Sequence, residues 1–156
     1  MPAHACTSSF YDPVEGTLHY VVTSADPAVR ARLAVEVAGE VQRAGDWQWI
    51  YTSIAALEGA ARRYDPDPAV VVGQAQQVAD ARAAAVDAHP GMYRGPAIVV
   101  ILELPDGPAP ELRDAIKRLA IAGHDQAVAI VLIAGVPRPG GGEPYPWGFP
   151  VLTAST

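Results

Sequence analysis

Residues 96–106, PAIVVILELPD, constrain the fold of this chain more than any other stretch. Five apolar residues in a row, Ala97 to Ile101, are mostly β-branched; they are too few for a helix and rich in strand formers. A continuous apolar run without polar alternation suits a strand covered on both faces, the condition of a central parallel strand. The run ends at the acidic Glu103 and then at Pro105-Asp106-Gly107-Pro108, which must leave the sheet. Ala127 to Ala134, AVAIVLIA, is a second run of the same kind. Ligands of open α/β sheets sit at the carboxyl ends of such strands, so the first run proposes a location for chemistry as well as a fold.

The remaining segments alternate around these two runs. Thr17 to Thr23 (TLHYVVT) reads as a strand. Ser24-Ala25-Asp26-Pro27 reads as a helix start, with Ser24 or Asp26 as the cap and Pro27 at the first helical position. Val29, Leu33, Val37 and Val41 then share one helical face, flanked by Ala34 and Ala38, and the helix runs to about Ala44 before Gly45 closes it. WQWIY (47–51) is a further strand, and Ser53 to Tyr64 reads as a helix with Leu57 buried and Arg62 and Arg63 outside. Asp65-Pro66-Asp67-Pro68 breaks that helix. Val70-Val71-Val72 fits either a short strand or the start of the alanine-rich helix Gln74 to Ala88, which His89-Pro90-Gly91 stops. Pro110 to Ala122 is amphipathic, with Leu112, Ile116 and Leu119 inward and Arg113, Lys117 and Arg118 outward. The expected fold is α/β, a three-layer sandwich with a mostly parallel sheet and right-handed crossovers. Residues 1–16 read as an irregular amino-terminal segment, 17–136 as the α/β domain, and 137–156 as a Pro/Gly-rich tail that runs extended. Trp147 and Phe149 in that tail need a surface to cover them.

Composition narrows the function. With 156 residues the chain is long enough for one domain with a full core and too short for two. A net charge of −6 argues against direct nucleic-acid binding, which normally needs a basic face. The single cysteine, Cys6, excludes an internal disulfide and a multi-cysteine metal site. The start MPAHACTSSF lacks a basic region followed by an apolar run, and no stretch approaches the ~20 apolar residues of a membrane span. A cytoplasmic protein with no membrane contact is the expectation. His4, His19, His89 and His124 show no paired metal spacing, and His124 suits the negative end of a helix dipole.

A strand, a turn and a helix followed later by a strand ending in an acid is the layout of P-loop NTPases, in which a glycine-rich turn cradles phosphate and a lysine neutralises it. Three segments are similar, in order, to the motor domain of the FtsK/SpoIIIE/TraB group of DNA translocases. His19 to Ala31 lies along that family's first strand and phosphate loop. Val99 to Asp106 (VVILELPD) resembles its second acidic motif, and Arg118-Leu119-Ala120, Gly123 and Val128 to Pro139 echo the helix and strand after it. The resemblance spans residues 17–139 and implies a shortened P-loop NTPase-like fold.

The same resemblance places the family's phosphate-loop lysine at Arg30, its serine or threonine at Ala31, and its loop glycines at Ser24, Pro27 and Val29. The magnesium-side aspartate falls on Leu102, and only the catalytic glutamate is matched in kind, by Glu103. Proline and a β-branched residue cannot follow a backbone path that wraps phosphate, and Leu102 cannot hold a cation. The expectation is therefore a catalytically inactive FtsK-like domain without a cofactor, acting as a structural or regulatory interaction module. Its partner would be another protein or a second copy, within a DNA-translocation or transfer system. Ser24, Asp26 and Arg30 mark the eroded phosphate loop and Glu103 the residual catalytic candidate. On a plain reading Arg30 is an exposed helix arginine and Glu103 a solvated strand-end carboxylate. Two alternatives stand beside this: a weak NTPase using Arg30 and Glu103, and a flavodoxin-like binder of a small molecule with its anion site at Ser24 to Ala28.

Overall fold

The computed structural model describes residues 11–12, 16–17, 19–43, 45–90, 95–135 and 151–153. Strands β1 (Tyr11–Asp12) and β2 (Gly16–Thr17) form a small antiparallel pair. The main sheet contains β3 (Tyr20–Thr23), β4 (Gln48–Thr52), β5 (Arg63–Tyr64), β6 (Ala97–Leu104), β7 (Val128–Ala134) and β8 (Val151–Thr153). Its spatial order is β5-β4-β6-β7-β3-β8, and every pairing in it is parallel. Helices α1 (Pro27–Arg43), α2 (Pro68–Ala88) and α3 (Pro110–Gly123) provide the connections. Each begins on a proline, whose fixed φ and missing N–H suit the first helical turn.

The two apolar runs lie side by side at the centre, paired from Ile98 with Val128 to Leu104 with Ala134. Because side chains alternate along a strand, each run serves two layers. Ile98, Val100, Leu102 and Leu104, with Val128, Ile130 and Leu132, pack under α2 and α3. Val99, Ile101, Ala129, Val131 and Ile133 pack under α1 with Ala34, Val37, Ala38 and Val41. The result is a three-layer α/β sandwich with a wholly parallel sheet. Among the described residues no helix is long and apolar enough to cross a membrane.

Several local expectations need correction. Ser53 to Tyr64 is not an α-helix but a 3-10 turn, Ala55–Ala60, followed by β5. The outer edge of β4 offers unpaired carbonyls, and the chain satisfies them: Arg62 N–H donates to Ile50 O at 2.8 Å and Asp65 N–H to Thr52 O at 3.2 Å. Thr52 holds the turn down, its hydroxyl donating to Ile101 O at 2.7 Å and accepting from Ile54 N–H at 3.0 Å. Leu57 is buried, as the sequence suggests. Val70 to Val72 belong to α2, since Pro68 opens the helix and the Asp67 carboxylate accepts from Ala69 N–H at 2.9 Å. Trp47 ends a second 3-10 turn rather than starting β4. Gly45, just past α1, takes a φ of +61°, the left-handed geometry that ends helices. Residues 151–153, expected within an extended tail, form a strand that closes the open side of β3. Cys6, His4, Trp147 and Phe149 lie outside the described residues.

Candidate functional site

At its carboxyl end β3 hands the chain to α1 on one face of the sheet, whereas β6 hands it to α3 on the other. Opposite exits of this kind open a crevice at the strand ends, with β7 between the two. The residues that border it are those the sequence singles out: Ser24, Asp26 and Arg30 on the first side and Glu103 on the other.

Ser24 continues the path of β3, its N–H donating to Ala134 O at 3.0 Å. Its hydroxyl accepts from Asp26 N–H at 3.2 Å. The Asp26 carboxylate accepts from Ala28 N–H at 2.8 Å and so caps α1, while Arg30 N–H donates to the Asp26 carbonyl at 3.0 Å. Pro27 has no N–H to offer. The amides of residues 26, 28 and 30 are thus bonded within the turn, and the one at 27 does not exist. The cap carboxylate also places a negative charge where a bound anion would draw on the helix dipole.

Arg30 corrects its plain reading as an exposed helix arginine. It is only 8% exposed. Ala34, Val37, Ala38 and Val41 form the buried stripe of α1, and Arg30 lies one turn before Ala34 on that same stripe. Its guanidinium turns to the sheet end, donating from Nη1 to the Ser24 carbonyl at 2.8 Å and from Nε to Glu103 Oε2 at 3.1 Å. Glu103 is therefore not a free strand-end carboxylate: its side chain is about a third exposed and held in an ion pair. Alternation explains why Glu103 and not its neighbour meets Arg30. Glu103 follows Val99 and Ile101 on the α1 face, whereas Leu102 faces α2 and α3 and is wholly buried. The position that the resemblance assigns to a magnesium-side aspartate is a core position.

The turn after β6 lies on the carboxyl end of β7. Gly135 N–H donates to Pro105 O at 3.1 Å, and Gly107 N–H donates to Leu104 O at 3.0 Å with a φ of +81° at Gly107. A Cβ on Gly135 would stand 2.4 Å from Pro105 O, so only glycine fits beneath this turn. Among the described residues no three His, Cys, Asp or Glu side chains gather as a metal site. Taken together, one cation and two carboxylates (Arg30, Asp26 and Glu103) surround the turn, a balance that does not favour a polyanion.

The sequence places Ser24, Asp26, Arg30 and Glu103 at one rim of the sheet, and the structure adds the contact between Arg30 and Glu103. The signal was present in the helical period, which puts Arg30 on the buried stripe. Two structural residues at the opposite end of the sheet carried no comparable sign. Arg82 of α2 donates to Gln126 O at 2.9 Å and to Pro96 O at 2.6 Å, tying the helix to the segments that lead into β7 and β6. His19, just before β3, accepts from Ile130 N–H through Nδ1 at 3.0 Å, which requires a neutral ring. Its pKa is lowered to about 4, chiefly because the ring is buried; a hydrogen bond with the Ala120 backbone works against the shift and His124 adds to it. No protein-family model matches the chain, and no curated protein or solved structure matches it.

Proposed function

We propose that this chain is a P-loop-like domain of the FtsK type whose nucleotide site is filled by its own side chains. It acts as a structural or regulatory protein-interaction module of a DNA-translocation or transfer system, not as a motor. One observation carries the reading. The guanidinium of Arg30, at the position of the phosphate-binding lysine, is spent inside the fold on the Ser24 carbonyl and on Glu103. A cation that neutralises phosphate must be available to it, and a glutamate that activates water needs a bound phosphate to attack. The committed amides at 26, 28 and 30 add a second reason, because a phosphate loop works by presenting such amides to the ligand.

Thermal unfolding with ATP and magnesium tests the proposal. A ligand present at 100 times its Kd stabilises a fold by about 2.7 kcal/mol, which melting readily detects. No saturable rise in Tm is expected at millimolar nucleotide. A saturable rise that disappears in Arg30→Ala would instead favour the weak NTPase built on Arg30 and Glu103.

A further inference from the structure

We draw no further inference here: the strongest candidate, the surface patch at the β4–β5 edge of the sheet where Trp47 stands 69% exposed and the Arg62 guanidinium lies 4.4 Å over the Trp49 ring, carries none, because Asp46, Asp65 and Asp67 lie along the same stretches as Arg62 and Arg63 and nothing in the structure shows what covers it.

Discussion

Arg30 and Glu103, 73 positions apart in the chain, are joined by a hydrogen-bonded ion pair in which Arg30 Nε donates to Glu103 Oε2 at 3.1 Å. The pair ties the first turn of α1 to the end of β6 and gives the buried guanidinium its counter-charge. Removing the arginine strands the Ser24 carbonyl, which sits in a residue only 4% exposed. Arg30→Ala should therefore destabilise the chain by about 2 kcal/mol in urea unfolding. Arg30→Lys should recover little, because an ammonium cannot serve both acceptors in the same fork geometry. Equal stability of Arg30→Ala and the unaltered chain would mean that the pair holds nothing.

Gly135 and the Pro105 carbonyl set a second test. The missing side chain is what lets the turn after β6 lie on the end of β7. Gly135→Ala must push backbone against backbone, and a loss of about 2 kcal/mol or more is expected. An unchanged midpoint in urea would show that the turn lifts away freely.

Leu102 bears on the inactive-site reading from the side of the core. Installing the aspartate that the resembled motif would have there, Leu102→Asp, buries a carboxylate under α2 and α3. The expected result is loss of cooperative folding, with a penalty of about 4 kcal/mol or more. Magnesium should not restore it. A folded variant whose melting temperature rises with magnesium would reopen the metal site.

His19 makes stability depend on pH with a definite sign. Its folded pKa of about 4 lies below the 6.5 of the free side chain, so the unfolded chain takes up the proton first as pH falls. The neutral ring's contribution is complete above pH 6.5, declines as the pH drops toward 4, and is then lost. Between about pH 7 and about pH 5 this amounts to roughly 2 kcal/mol. His19→Asn keeps an acceptor for Ile130 N–H and cannot titrate there, so its unfolding free energy should fall less over that interval. Parallel pH profiles for the two proteins would remove His19 as the cause.

Local pattern carries much of this protein. Two apolar runs specify buried parallel strands, and Pro27 and Pro110 mark helix starts, whereas Pro68 reads only as a break and its helix start appears in the structure. Gly45 marks a helix end, and the stripe at 34, 37, 38 and 41 marks the face that α1 buries. These features act over a turn of helix or a few residues of strand, so they can be read without knowing what lies opposite. The neighbourhood of the site was legible too, because strand ends and helix starts converge at one rim of such a sheet. The outcomes that were not legible all turn on a partner far away in the chain. Residues 53–64 fold as a 3-10 turn and a strand because the edge of β4 had carbonyls to satisfy, and 151–153 form a strand because β3 had an open side. Arg30 is buried because alternation along β6 brings Glu103, and not Leu102, to the face that α1 covers. Hydrogen bonds and ion pairs of that kind exist only once the order of the strands is set, and strand order is a property of the assembled sheet.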